Sequence, residues 1–241
     1  MIADLHPCSF IDFPGELTAV VFTQGCNLRC RYCHNPTLCP QKGSRRLRFE
    51  KISDFLASRK NKLTAVTVTG GEPTLHAALP TLLDLIRAHG FKVKLDTNGM
   101  TPHVVRELVS AGQIDYAAVD VKVARGFDGS WLTGARNQGD RAMETLQIFT
   151  AAHIQCEART TAVGAVHTWA HLKHIAQNLV DVGVQTWRLQ PVLSKRVLDA
   201  TACLEAPDDT TLASAVAYAA TRGLNAAIRP SAQKILRHNY S

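Results

Sequence analysis

The chain has 241 residues, of which 46% are hydrophobic, and its formal net charge is +7. A chain of this kind can bury a full core, either in one α/β barrel-like domain or in two small ones. Its first ten residues carry no positively charged leader, and no stretch of 18 apolar residues occurs in it. We therefore expect a cytoplasmic protein with neither a signal peptide nor a membrane span. Because the cytosol keeps thiols reduced, the seven cysteines indicate metal binding or catalysis rather than disulfides.

Positive charge is concentrated between residues 42 and 62, where eight basic and two acidic side chains give a net charge of +6. The basic residues are Lys42, Arg45, Arg46, Arg48, Lys51, Arg59, Lys60 and Lys62. Only Phe49 and Phe55 interleave with them, so a base-stacking surface is not indicated and nucleic acid is the less favoured partner. An acidic protein fits the charge, and a solvated helix face fits it equally well.

Six short β-branched and apolar runs, bounded by Gly, Pro, Asn or Asp, predict strands at 17–23, 65–69, 92–95, 116–121, 155–160 and 186–189. Apolar residues at helical spacing lie between them, as in 79–86, 104–109 and 172–179. This alternation predicts a parallel sheet covered by helices. Without a nucleotide-binding glycine fingerprint, the six units favour a partial or complete (β/α)6 TIM-like barrel, with a flat doubly wound sheet as the alternative.

No Pro/Ser-rich linker divides the sequence, so we predict a single domain over residues 1–241 with its core at about 10–191. Beyond that core, Leu212, Val216 and Tyr218 follow a helical pattern, and a short apolar run comes next at 224–228. Residues 207–241 therefore form either a final βα unit or a covering tail.

Polar or glycine-rich groups follow all six predicted strands. In chain order they are QGCNLRCRYCHNP, TGGEPT, DTNG, DVK, Arg159 to Thr161, and Gln190 with Pro191. Loops that follow the strands of a parallel barrel share one face, so these groups predict a site on that rim. Gly, Asn and Asp also build ordinary turns, but six strand ends in register favour a site.

The first of these loops has the spacing Cys26-x3-Cys30-x2-Cys33. Three thiolates on one short loop can each hold one iron of a [4Fe-4S] cubane and leave the fourth iron open to a substrate. The alternative is a zinc knot in which Cys39 or Cys8 supplies a fourth thiolate.

The next two loops each have a structural and a functional interpretation. Gly70 and Gly71 let the backbone approach a ligand closely, but a plain strand-to-helix turn near Glu72 also uses such residues. Asp96, two residues before Asn98, can contact a ligand or cap the following helix through an Asx turn.

Asp120 and Lys122 lie two residues apart at the end of a predicted strand, and in strand conformation both side chains project to the same side. Together they can meet a zwitterionic amino acid with complementary charge. A structural ion pair between them is the alternative, and both interpretations stay open at this point.

The motifs CNLRCRYC and TGGEP closely resemble the radical S-adenosylmethionine (SAM) superfamily. The runs FIDFPGELTAVVFTQGCNLRCRYCHNP, KLDTNG, DYAAVDVK and ARTT resemble the activases of glycyl radical enzymes. They most resemble the activases of anaerobic ribonucleoside-triphosphate reductase. The resemblance covers roughly residues 10–191 and implies a partial (β/α)6 barrel of the radical SAM type.

This resemblance also implies the cofactors and the residues that hold them. Cys26, Cys30 and Cys33 would bind a [4Fe-4S] cluster whose open iron chelates the methionine amino and carboxylate groups of SAM. Tyr32 and His34 would lie beside the adenine. The methionine end, the ribose or a monovalent cation between them would be contacted by Gly70, Gly71, Glu72, Asp96, Asn98, Asp120, Lys122 and Arg159.

Two features depart from the family pattern. Some activases have a cofactor-touching histidine just after the sixth strand, where this chain has Val192 and Leu193. There is also no second cluster motif. We expect the scattered cysteines to be small buried or partly exposed residues, namely Cys8, Cys39, Cys156 and Cys203.

The implied reaction is reductive cleavage of SAM to methionine and a 5'-deoxyadenosyl radical, which removes the α-hydrogen of a glycine in a partner enzyme. The cofactor supplies the difficult chemistry, so we expect no separate acid or base. A flavodoxin or ferredoxin-type protein would supply the electron, and the basic run at 42–62 is a candidate docking surface for it.

Two alternatives remain. The first is a radical SAM enzyme that acts on a small molecule, similar to 7-carboxy-7-deazaguanine synthase. That family places Asp-Thr after its last cluster cysteine, whereas this chain has His34 and Asn35, and Asp120-Val121-Lys122 favours an activase. The second is a non-catalytic metal-binding module, which predicts metal without cleavage of SAM.

Overall fold

A computed structural model describes residues 1–42, 46–193, 197–202 and 204–229. At its centre lies an eight-stranded sheet whose strands follow one another in chain order. They are β1 (Ile2–Ser9), β2 (Thr18–Thr23), β3 (Ala65–Gly70), β4 (Lys92–Thr97), β5 (Tyr116–Asp120), β6 (Gln155–Ala162), β7 (Thr186–Pro191) and β8 (Asn225–Ile228). β1 pairs antiparallel with β2, and every later pair is parallel.

Helices connect the parallel strands and cover the sheet. They are α1 (Phe49–Arg59), α2 (Leu79–Ala88), α3 (Pro102–Ser110), α4 (Ser130–Thr133), α5 (Gln138–Ala151), α6 (Trp169–Asp181) and α7 (Asp209–Thr221). Short 3-10 turns lie at Pro36–Leu38, Pro73–Leu75 and Ala200–Ala202. The buried residues of α2 recur at helical spacing and so form an apolar stripe along one face of the helix. They are Leu79, Leu82, Leu83 and Ile86. No helix within the described ranges is both long and apolar enough to cross a membrane.

The six predicted strands are confirmed as β2 to β7, and their ends differ from the predicted ends by at most two residues. A doubly wound sheet needs a reversal in strand order, and this sheet has none, so the predicted partial barrel is confirmed over its alternative. Among the described residues β1 and β8 do not pair, so the sheet is not closed.

The sheet extends beyond the predicted core at both ends. β1 is not predicted because Asp4 and Pro7 weaken its strand pattern, and an edge strand tolerates them because its outer side pairs, among the described residues, only at Ile2, with Leu47. At the other end, α7 and β8 form a further α/β unit, in which β8 pairs with β7. Residues 230–241, Arg45 and Cys203 lie outside the described residues.

Alternation along the strands separates apolar from charged side chains. On β4, Val93 and Leu95 join the core under the helices, whereas Lys94 and Asp96 point to the opposite, inner face. The carboxyl ends of the parallel strands lie at one rim of this inner face, and the cysteine loop leaves β2 at that rim.

Candidate active site

The cysteine loop begins against the turn that follows it in sequence. Gly25 N–H donates to Leu38 O at 2.7 Å, and Cys26 N–H donates to Cys39 O at 3.1 Å. The Gln24 side chain adds hydrogen bonds from its Nε2 to the carbonyls of the same turn. These bonds fix where the first predicted cluster ligand leaves the sheet.

The far side of the loop is fastened to two other segments. Arg31 Nε donates to Trp131 O at 2.7 Å, and the Arg31 guanidinium pairs with Asp199 at 2.6 Å. Leu198 N–H donates to Cys33 O at 3.1 Å. The loop is therefore held from both sides by the surrounding chain.

The three predicted ligands differ in burial. Cys30 is buried, and Cys26 and Cys33 are half-buried. Burial raises the pKa of Cys30 to about 11, whereas a hydrogen bond from the Cys39 thiol lowers the pKa of Cys33. Asn98 Nδ2 lies 3.7 Å from Cys26 Sγ. Because iron binds thiolates, cluster binding must displace the protons that burial favours.

No group of three His, Cys, Asp or Glu side chains in the described ranges converges to hold a single metal ion. A cubane does not need such convergence, because each cysteine binds a different iron. Of the two residues named for a zinc knot, Cys39 is buried with its sulfur 3.7 Å from Cys33 Sγ, and Cys8 lies on β1.

The surroundings of Tyr32 indicate that a polar ligand binds beside the cysteines. Its hydroxyl is buried and has no hydrogen-bond partner within the described part of the chain. A buried polar atom of this kind is expected to meet a ligand or water. The ring packs in an apolar cluster with Cys30 and Val192, while His34 is exposed on the same loop. Lys122 Nζ lies 5.5 Å from the centre of the Tyr32 ring.

Glu72 braces two strand ends. Its carboxylate accepts hydrogen bonds from the Thr74 N–H (3.1 Å) and hydroxyl (2.5 Å), the Thr97 hydroxyl (2.8 Å) and the Asn98 N–H (2.7 Å). Burial raises the pKa of Glu72, but the four donors stabilise its charged form. Its contact with SAM stays a prediction, since the geometry gives it a structural role between β3 and β4.

Gly70 and Gly71 allow the chain to approach itself. Gly70 has φ +122°, and a Cβ there would collide with the backbone of Thr23. A Cβ on Gly71 would collide with the Gly25 carbonyl at the start of the cysteine loop. The structure shows that the neighbouring strand end and the cysteine loop require these glycines, and close approach of a ligand to them stays a prediction.

Five charged side chains meet on the inner face below the cysteine loop. Arg159 lies at its centre and pairs with Asp96 at 2.7 Å and with Asp120 at 3.0 Å. Lys94 pairs with Asp96 at 2.5 Å, and Lys122 pairs with Asp120 at 3.2 Å. We call these five residues the lumen network. Its three cations and two anions leave one net positive charge.

The lumen network is ionised and partly open. Burial opposes ionisation of Asp120, but Arg159 and Lys122 outweigh it and hold the pKa of Asp120 down at about 2. The side chains of Arg159 and Asp120 are 24% and 32% exposed, so both can contact a ligand. Paired opposite charges with a net cation suit a zwitterion that carries a carboxylate.

The ion pair predicted as one interpretation of Asp120 and Lys122 is therefore present, as part of a larger network. The Asx turn suggested for Asp96 is wrong, because its carboxylate is engaged by Lys94 and Arg159. Asn98 forms such a turn instead, where its Oδ1 accepts from the Met100 N–H at 3.0 Å.

Gln138 was missed by the sequence analysis. It is fully buried at the start of α5, and its Nε2 donates to Asn98 O at 3.0 Å and to Asp120 O at 2.7 Å. Its Oε1 accepts from the Lys122 N–H at 2.8 Å. One side chain thus fixes the backbone of three predicted SAM contacts. Lys94 was missed too, although it precedes Asp96 by the same two residues that separate Asp120 from Lys122.

His167 holds the remaining backbone group of Lys122. The Lys122 carbonyl can only accept, so His167 Nε2 donates to it at 3.0 Å, and His167 Nδ1 accepts from the Val163 N–H at 2.9 Å. This arrangement requires a neutral imidazole. Burial, with a smaller contribution from His171, lowers the pKa of His167 to about 4.

A sequence profile of the Radical SAM superfamily matches residues 20–179 of the chain. A protein of Methanocaldococcus jannaschii whose name assigns it as a glycyl-radical enzyme activating enzyme is 32% identical over 190 residues, covering 75% of this chain and 76% of the relative. The pyruvate formate-lyase-activating enzyme of Clostridium pasteurianum is 32% identical over 154 residues, covering 57% and 64%. The 7-carboxy-7-deazaguanine synthase of Aquifex aeolicus is 38% identical over 78 residues, covering 32% and 33%.

Solved structures show the same fold. A radical SAM methyltransferase from Sphaerobacter thermophilus matches with a TM-score of 0.71 and 17% identity, over 93% of this chain and 69% of that chain. SuiB of Streptococcus suis, bound to S-adenosylmethionine, matches with a TM-score of 0.68 and 15% identity. That match covers 88% of this chain and 49% of SuiB, so the chain spans about half of that protein.

The chain belongs to the radical SAM superfamily, because the profile covers more than half of it. Within the superfamily it is a radical SAM enzyme of the glycyl radical enzyme activase group, as its similarity to the Methanocaldococcus and Clostridium proteins shows. Membership implies a [4Fe-4S] cluster and SAM as cofactors. The donors present fit both groups, since three thiols share one loop and an orphaned hydroxyl and a zwitterion-matched network lie beside them.

We expect the free energy of unfolding to fall as the pH is lowered from about 6.5 to about 4, because the unfolded chain then binds a proton that buried His167 does not. The loss assigned to His167 is at most about 3 kcal/mol. His167→Gln keeps a donor for the Lys122 carbonyl and removes the titration, so its stability should depend less on pH. Urea unfolding at a series of pH values measures the free energy of unfolding of the unchanged chain and of His167→Gln. His103→Gln, at an exposed position, is the control. An unchanged pH dependence in His167→Gln would contradict a neutral buried imidazole.

Proposed function

We propose that this chain holds a [4Fe-4S] cluster on Cys26, Cys30 and Cys33, cleaves SAM reductively, and removes the α-hydrogen of a glycine in anaerobic ribonucleoside-triphosphate reductase. The observation that carries the proposal is the position of the lumen network directly below the cysteine loop. Lys122 belongs to the network and lies over the ring of Tyr32, which belongs to the loop. A ligand can therefore contact the cysteine loop and the charged groups at once.

Each part of the site has a task in this reaction. The bound cluster supplies the electron that breaks the carbon–sulfur bond of SAM. Arg159 and Lys122 would contact the methionine carboxylate, and Asp120 would accept a hydrogen bond from an N–H of the methionine amino group. The apolar cluster around Tyr32 would keep water from the reacting centre. A monovalent cation stays a prediction, with Asp120 as the most exposed carboxylate of the lumen network.

A protein substrate is supported by the surface beside the loop. Trp131 is 45% exposed and carries Arg31 over its ring at 4.8 Å. Leu198 is 37% exposed and is bonded through its backbone to Cys33. Exposed aromatic and aliphatic groups around an arginine are typical of a protein contact. The free thiols of all six described cysteines support the reducing cytoplasm as the place of action.

The partner is tested by electron paramagnetic resonance. The cluster-loaded, reduced chain with SAM should produce a glycyl radical signal in anaerobic ribonucleoside-triphosphate reductase, and Cys30→Ala should produce none. A reductase with its radical glycine replaced by alanine is the matched substrate control. Pyruvate formate-lyase and the substrate of 7-carboxy-7-deazaguanine synthase serve as competing substrates. Turnover of either one, with no signal in the reductase, would remove the proposed partner.

We also propose that an acidic flavodoxin or ferredoxin delivers the electron near Arg46 and Arg48. Between them, Leu47 N–H donates to Ile2 O, and Ile2 pairs with Thr23 at the strand end that leads into the cysteine loop. Helix α1 then runs away from this rim. The later basic residues Arg59, Lys60 and Lys62 consequently lie near the start of β3, at the opposite end of the sheet.

This division of the basic run gives matched variants. Arg46→Glu with Arg48→Glu should slow reduction of the cluster by flavodoxin and leave reduction by dithionite unchanged, because only the protein donor must dock. Lys60→Glu with Lys62→Glu makes the same change in charge at the far end and should leave both rates unchanged. The rates are followed by cluster absorbance under anaerobic conditions. Equal slowing by the two pairs of substitutions would show that net charge matters and that docking at this rim does not occur.

A further inference from the structure

Cys33 and Cys39 form a contact that the proposed reaction does not use. Their Sγ atoms are 3.7 Å apart, which is the sole sulfur–sulfur contact among the six described cysteines. Cys39 is buried, whereas Cys33 is half-buried. A disulfide has an S–S bond of about 2.0 Å, so the two sulfurs need to approach by about 1.7 Å.

The contact is built into the backbone. The 3-10 turn Pro36–Leu38 folds the chain back, and the Cys39 N–H donates to Pro36 O at 3.2 Å. The Cys39 carbonyl in turn accepts from the Cys26 N–H. Cys33 is fixed through its own N–H, which donates to Cys30 O at 2.9 Å. The backbone of both cysteines is therefore held in place by neighbouring hydrogen bonds.

We propose that Cys33 and Cys39 are a modification site, at which a peroxide converts the cluster-free chain to a reversible Cys33–Cys39 disulfide. One hydrogen peroxide oxidises the half-buried Cys33 thiolate to a sulfenic acid and releases hydroxide. The Cys39 thiol then attacks that sulfur, the S–S bond forms, and water leaves. Overall, two thiols and one peroxide give one disulfide and two waters. A dithiol reverses the reaction by exchange.

The disulfide has two consequences. It withholds Cys33 from iron, because a metal ligand must be a thiolate. It also stops the oxidation of Cys33 at a reversible stage, since a sulfenic acid without a nearby thiol proceeds to an irreversible sulfinic acid. Only the first consequence rests on the proposed function, because it takes Cys33 as a cluster ligand.

The sequence makes the test direct. Trypsin cuts after Arg31 and after Lys42, so peptide 32–42 contains Cys33 and Cys39 and no other cysteine. The full-length, cluster-free, reduced chain is treated with one equivalent of hydrogen peroxide. We expect this peptide to become lighter by two hydrogen atoms and to resist thiol alkylation, and dithiothreitol should reverse both changes. The oxidised chain should fail to take up iron and sulfide until dithiothreitol is added.

Two variants complete the test. Cys39→Ser should stop at a Cys33 sulfenic acid with one equivalent of hydrogen peroxide, and a second equivalent should convert it to sulfinic acid, with a loss of iron uptake that dithiothreitol does not restore. Cys156→Ser, a half-buried cysteine on β6, is the matched control and should behave like the unchanged chain. A disulfide from Cys33 to Cys26 or Cys30, or two free thiols in peptide 32–42 after oxidation, would overturn the inference. Because the readout is a peptide mass, the test of the disulfide does not depend on whether the loaded protein cleaves SAM.

Discussion

The pairing of Arg159 with Asp96 and Asp120 is the interaction on which the site depends. β4, β5 and β6 are adjacent strands, and each contributes one of these residues. Charges of this kind are stable on an inner face only when they are paired, and loss of one partner from a buried pair costs about 3–5 kcal/mol. The Arg159 guanidinium can satisfy two carboxylates at once because its donors form a planar fork. The three strand ends are thereby held as one charged surface.

Hydrogen bonds with uncharged donors add a second layer around that surface. Glu72 connects the end of β3 with the residues after β4, and Gln138 connects the residues after β4 with the end of β5. Gln138 and His167 together take up both backbone polar groups of Lys122. Gln138 and His167, which are not proposed to contact SAM, thus position the backbone of residues that are. Such rigid support lets a site bind a flexible cofactor in one orientation.

Local patterns in the sequence predict most of the strands and most of the residues that meet at the candidate site. Strands β2 to β7 carry β-branched, apolar runs, and the two-residue spacing of Asp120 and Lys122 predicts their shared side. Gln138 could not be found in this way, because a glutamine at a helix start is ordinarily exposed and only the packing of α5 against β5 buries it. The contact between Cys33 and Cys39 likewise depends on how the Pro36–Leu38 turn folds back, which cysteine spacing does not encode.

The most direct test of SAM cleavage by this chain is an anaerobic assay of the reconstituted and reduced protein with SAM, in which 5'-deoxyadenosine is followed by chromatography. We expect product from the unchanged chain and from Cys156→Ala, and none from Cys30→Ala. A fully loaded cluster that yields no 5'-deoxyadenosine would contradict this expectation, because the cysteine loop and the lumen network would then bind without performing the cleavage on which the proposed activation depends.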